Sequence, residues 1–140
     1  MTTPADILYT FLQDSGAFVG WTSFVSFLPD APDKAICVYD TPGVGNGRIM
    51  RTGEKIEHPG IMVALRCLNY VEGHAKATSL ALLLDSVRDN SVAVSSGETY
   101  SLHNVSRTGT INAIGLEMVN DRRRHQFTIN AVLTLTELTA

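Results

Sequence analysis

The segment from Gln126 to Thr136 alternates cleanly between apolar and polar residues. Apolar side chains fill every second position: Phe127, Ile129, Ala131, Leu133 and Leu135. Of the positions between them, only Val132 is not polar. A period of two predicts a β-strand with one buried and one exposed face. Such a strand requires a sheet whose buried face is covered by other elements, so the chain must contain at least a sheet and a covering layer.

Two segments have helical spacing and can supply that layer. Thr3 as a cap and Pro4 at the first helical position predict a helix that ends near Gly16. A second helix is predicted from about Glu72 to Asn90, with Asn90 as its C-terminal cap. Its apolar stripe consists of Ala77, Leu80, Leu84 and Val87.

Further strands are predicted at residues 34–40, 60–70, 99–106 and 112–120, while residues 17–33 could form a short strand or a loop. Hairpins dominate the second half of the chain. The order predicts one α+β domain over residues 1–140, with a mostly antiparallel sheet, two helices packed on one face and a long β–β loop.

That loop, Asp40 to Glu54, is rich in glycine and could suggest a phosphate site. Arg48 occupies the place where a phosphate-binding loop has its second glycine and where a dinucleotide fingerprint has its third. The sequence contains no Lys-Ser or Lys-Thr pair, and a strand rather than a helix follows the loop. We therefore interpret it as a flexible arm that docks on a partner. Its glycines supply flexibility and its ionic residues supply contacts: Gly43, Gly45, Gly47, Arg48, Arg51, Glu54 and Lys55.

The run Arg122, Arg123, Arg124 and His125 is the main cluster of positive charge, and we place it at a hairpin tip. It could bind phosphate or an acidic protein face, or it could simply be solvated. The net charge of −3 argues against a dedicated nucleic-acid binder. Without a signal peptide or a membrane span in the sequence, we expect a cytoplasmic location and two reduced cysteines, Cys37 and Cys67.

Sequence motifs for catalysis are missing. His58, His74, His103 and His125 have no metal-ligand spacing, and the sequence contains no GxSxG elbow. We therefore expect no catalytic residue, cofactor or metal. The sheet edges must be protected, and pairing with neighbouring subunits could close them into a ring.

Two stretches carry a resemblance to a known family. "VYDTPGVGNGRIMRTGEKIEHPGIMVALR" and "RRRHQFTINAVLT" resemble minor capsid proteins of tailed bacteriophages, in particular tail terminators. The resemblance implies a ring, commonly of six copies, at the head-proximal end of the tail tube. Its implied partners are the tube protein and the head–tail connector, with DNA passing through the lumen. It also implies a location in the tail or neck of the virion and, during assembly, in the host cytoplasm.

Other functions remain open at this point. A head-side connector or stopper would bind the portal-side complex instead of the tube. A small binding module would dock an acidic partner through Arg122, Arg123 and Arg124. A small-molecule enzyme would require a deep pocket with converging polar groups.

Overall fold

The computed structural model describes residues 3–30, 32–48, 55–94, 97–119 and 122–137. These residues form two helices and seven strands in the following order: α1 (Pro4–Asp14), β1 (Thr22–Val25), β2 (Ala35–Arg48), β3 (Lys55–Cys67), α2 (Tyr70–Asp85), β4 (Asn90–Ala93), β5 (Thr99–Arg107), β6 (Asn112–Val119) and β7 (Arg122–Glu137).

Helix α1 forms as its sequence predicts. The hydroxyl of Thr3 accepts a hydrogen bond from the backbone N–H of Asp6 at 3.3 Å, and Pro4 occupies the first turn. Two residues after the helix, Gly16 has a φ of +75°, a conformation that glycine adopts without steric cost. The apolar stripe, Ile7, Leu8 and Leu12, is completely buried.

Helix α2 is displaced from its predicted bounds. It begins at Tyr70, because the side chain of Asn69 accepts hydrogen bonds from the N–H groups of Val71 and Glu72 at 3.0 and 3.2 Å. It ends at Asp85, so the prediction that Asn90 caps it is wrong; Asn90 begins β4. Val87 is nevertheless buried with the rest of the stripe, so the apolar pattern continues after the backbone has left the helix.

The strands form one sheet in the order β1-β2-β3-β7-β5-β4, with β6 also paired to β7. Each pairing is antiparallel except that of β1 with β2, which confirms the α+β prediction of a mostly antiparallel sheet. β5 and β6 follow one another along the side of β7 that faces away from β3. β6 pairs with the first half of β7 and β5 with the second half.

Both helices pack on one face of this sheet. Val63 lies opposite Ile129 and Leu65 opposite Phe127, and the four side chains are buried with the helical stripes in one core. Burial of a side chain of this size stabilises the fold by about 1.5–3 kcal/mol.

The two cysteines lie in neighbouring strands, and both are free. Cys37 pairs with Ala64, whereas Cys67 pairs with His125. Because Ala64 and Cys67 are three residues apart in one strand, their side chains lie on opposite faces of the sheet.

Candidate functional site

The predicted glycine-rich loop is in large part a β-ladder. β2 and β3 stay paired from the sheet outwards through Val44 and His58 to Arg48 and Lys55. β3 pairs with β7 only over Gly60–Cys67. Residues 44–48 and 55–58 therefore form a two-stranded extension, which we call the arm. The prediction of a loop without secondary structure is wrong for these residues.

Two positions at the base of the arm require glycine because the two backbones approach each other closely there. The register shifts between Thr41 and Val44, and Pro59 lies opposite this interruption, where the ladder needs no N–H donor. A Cβ on Gly43 would overlap the carbonyl oxygen of His58, and a Cβ on Gly60 would lie 2.6 Å from the carbonyl oxygen of Pro42. These glycines permit a close approach of two backbones, which differs from the flexibility that the sequence suggests.

The structure places the predicted arm residues as follows. Gly43, Gly45, Gly47 and Arg48 lie in β2, and Lys55 begins β3. Arg51 and Glu54 lie outside the described residues. Within the described residues, the ladder from Val44 outwards has no third strand on either side. A two-stranded hairpin is only marginally stable in water on its own, so the arm is a candidate for contact with another molecule.

The predicted basic tip divides into one exposed and one buried arginine. Arg122 begins β7 opposite Val119, and Arg123 is exposed. Arg124 is buried: its Nε donates to the carboxylate of Asp33 at 2.8 Å, and Nη2 donates to the carbonyl oxygen of Asp30. The expectation of an exposed Arg124 is wrong because β7 begins four residues earlier than predicted and carries this side chain under Asp30 and Asp33.

Arg66 makes similar contacts, although it was not among the predicted site residues. Its guanidinium donates to the backbone carbonyls of Pro29 and Pro32, the latter at 3.2 Å from Nε and 2.6 Å from Nη2. Arg66 and Arg124 therefore fasten the connection between β1 and β2 to the sheet face opposite the helices. The available signal in the sequence was an arginine inside the apolar run "MVALRCL".

A serine, a histidine and an aspartate meet near the start of β5. His103 Nδ1 lies 2.7 Å from an Asp89 carboxylate oxygen and 3.4 Å from the hydroxyl of Ser101. In a catalytic triad, the carboxylate and the nucleophile contact different ring nitrogens. Here both contact Nδ1, so this group cannot relay a proton from the serine to the aspartate through the ring.

Two open depressions, of about 470 and 280 Å³, lie beside this group. Both include Asp85, which forms a two-point ion pair with Arg107 at 2.8 Å. The charged groups of the larger depression are thus already paired, and they form a structural contact between α2 and β5.

His74 and His125 lie near each other, and the other two histidines lie elsewhere. His58 contacts the hydroxyl of Thr134 at 3.2 Å, while His74 and His125 contact the ring of Tyr70. Among the described residues, no group of three or more histidines, cysteines or acidic residues could hold a metal ion. None of the helices in that part of the chain is long and apolar enough to cross a membrane.

In the part of the chain that the structure describes, three ionisable groups have shifted pKa values. Burial, followed by hydrogen bonding to Cys37, raises the pKa of Tyr39 to about 12. Burial also raises the pKa of the Cys37 thiol. Burial and the charge of nearby Lys34 lower the pKa of Lys76. Lys34 itself contacts the carboxylate of Glu72, and its ammonium lies 4.9 Å from the centre of the Trp21 ring.

Comparison with known proteins identifies one family. A family model described as "Bacteriophage tail terminator protein" matches residues 4–115, which is most of the chain. Solved structures also match; one of them covers 96% of this chain and 97% of its own, with 10% sequence identity and a TM-score of 0.45. No curated protein matches the sequence.

Proposed function

The chain belongs to the bacteriophage tail terminator family, and on this premise we propose that it forms a ring, of six copies, on the head-proximal end of the tail tube. The ring stops the growth of the tube and presents a surface to the head connector. The chain is thus a component of the phage tail, and its partners are further copies of itself, the tube protein and the connector. The proposed role depends on binding surfaces and needs no catalytic group or cofactor.

The arm is the observation that carries this proposal. It extends from the sheet as two strands, and Arg48 and Lys55 form its outermost described pair. A ladder of this kind becomes stable when its edges pair or pack against other surfaces. A neighbouring subunit or the tube would supply such a surface, and Arg48, Arg51, Glu54 and Lys55 would form the ionic contacts.

The overall charge also suits a ring through which DNA passes. The net charge is −3, and a protein that binds DNA tightly without sequence preference needs a cluster of cations to neutralise phosphates. Since each copy carries a net negative charge, DNA would cross the lumen without a strong electrostatic hold.

The double variant R48E/R51E tests the arm. We predict that this charge reversal changes folding little, because substitutions of exposed residues usually alter stability by less than about 0.5 kcal/mol. We expect normal circular dichroism and thermal unfolding for the variant. We also expect electron microscopy of tail tubes to show capped ends with the unmodified protein and uncapped ends with the variant. The matched control is R88E, which reverses an exposed cation between α2 and β4.

The possible results separate the functions. Caps that form equally with R48E/R51E would show that these two cations do not hold the ring or the tube. Unmodified protein that ignores purified tubes but binds the portal-side complex would identify a head-side stopper instead.

A further inference from the structure

β6 is an open edge of the sheet. It pairs with β7 on one side, and within the described residues its other side has no partner strand. Soluble proteins usually protect such an edge with charged residues, proline or a bulge, and β6 contains one charged residue, Glu117, and no proline or lysine. A bulge lies between Ala113 and Gly115, and the pairing from Gly115 to Val119 is regular.

This edge also exposes apolar side chains. Ile114 and Met118 are both more than half exposed. Arg123 pairs with Met118 across the ladder and is exposed as well. We call Ile114, Met118 and Arg123 the β6 surface; it combines an open backbone edge, apolar contact area and positive charge.

The sheet edge on the other side of β7, beyond β3 and β2, has a complementary character. β1 forms that edge, and two of the three most exposed large apolar residues of the described chain, Val19 and Phe27, lie just before and just after it. Residues 1–33 contain four aspartates and no lysine, arginine or histidine. Asp14, at the end of α1, is exposed. We call Val19, Phe27 and Asp14 the β1 surface.

We infer that the β6 surface of one copy binds the β1 surface of the next copy. Both surfaces expose apolar area that a soluble protein normally covers, and their charges are opposite in sign. The two surfaces differ, so the contact is head-to-tail, and a contact of this kind closes into a ring when the rotation permits. This inference rests on the proposed ring and specifies which surfaces join its subunits.

Cysteine cross-linking tests the contact directly. Cys37 and Cys67 are buried, so an introduced surface cysteine is the main target of a bis-maleimide. A head-to-tail contact predicts a covalent dimer when M118C is mixed with V19C or F27C, and little or none from any of these variants alone. A dimer from M118C alone would indicate a symmetric contact and overturn the inference.

Charge reversal provides a second, independent readout. R123E and D14R should each reduce the high-mass species seen by light scattering, and an equimolar mixture should restore it, because each reversed charge then meets its opposite. L82E is the matched control, since Leu82 is an exposed apolar residue of α2 outside both surfaces.

The outcomes distinguish this inference from the proposed function. Rings that form normally with R123E and D14R and give no M118C–V19C cross-link would overturn the inference while the ring function stands. Unmodified protein that forms no ring, either alone or on tubes, would overturn both.

Discussion

Removal of the buried arginine should destabilise the protein far more than removal of an exposed one. Arg124 is 1% exposed and Asp33 is 18% exposed, whereas the side chains of Arg107 and Asp85 are 28% and 41% exposed. A broken buried pair costs about 3–5 kcal/mol, and an exposed pair contributes about 0.2–1 kcal/mol. Because water reaches part of Asp33, we expect R124M to cost about 3 kcal/mol and R107M less than about 1 kcal/mol.

The two losses can be measured by urea unfolding. Trp21 is the single tryptophan and packs against the core, so its fluorescence reports the transition. For a chain of this size, a loss of about 3 kcal/mol lowers the melting temperature by roughly 10 °C. The double variant R124M/D33N should cost less than the sum of its single variants, because the two side chains interact directly.

Equal costs for R124M and R107M would refute the reasoning. In that case burial would not determine the strength of these ion pairs, and the connection between β1 and β2 would be held mainly by other contacts. The two variants are a matched pair, since both arginines contact an aspartate at 2.8 Å and the two ion pairs differ in burial.

Two further substitutions test the packing and the shifted tyrosine. G73A should lower the free energy of unfolding by about 1–3 kcal/mol despite the better helix propensity of alanine, because its Cβ would lie 2.6 Å from the buried Phe127 ring. A smaller loss in an F127L background would support this cause, and an equal loss would contradict it. The pKa of Tyr39 is raised to about 12, which favours the neutral form of this side chain in the folded state. The resulting contribution to the free energy of unfolding is complete below pH 10 and is lost as the pH rises towards about 12. Y39F should therefore lose less stability over this interval than the unmodified protein, as denaturant unfolding would show.

Several features of the fold could be predicted from the sequence because they depend on neighbouring residues. Thr3, Pro4 and Gly16 define α1, and the alternation from Phe127 to Leu135 defines the buried face of β7. Caps and periodicity act within a few residues, so a single sequence contains all of their information.

The candidate site depended less on local patterns. Glycines and charges between Asp40 and Glu54 predicted a flexible loop, yet β2 and β3 pair through much of it. Local composition could not reveal this ladder, because its stability comes from hydrogen bonds to the other strand. The exposed edge of β6 was likewise invisible, since its openness depends on which strands lie beside β7.

The sequence by itself thus determined an α+β fold with two helices and a mostly antiparallel sheet, and the family to which the chain belongs. Only the tertiary structure decided that Arg124 is buried while Arg123, its neighbour in the sequence, is exposed. Successive residues of a strand point to opposite faces, and Asp30 and Asp33 cover only the face that carries Arg124. The same residue type in adjacent positions can therefore stabilise the fold in one case and remain available for binding in the other.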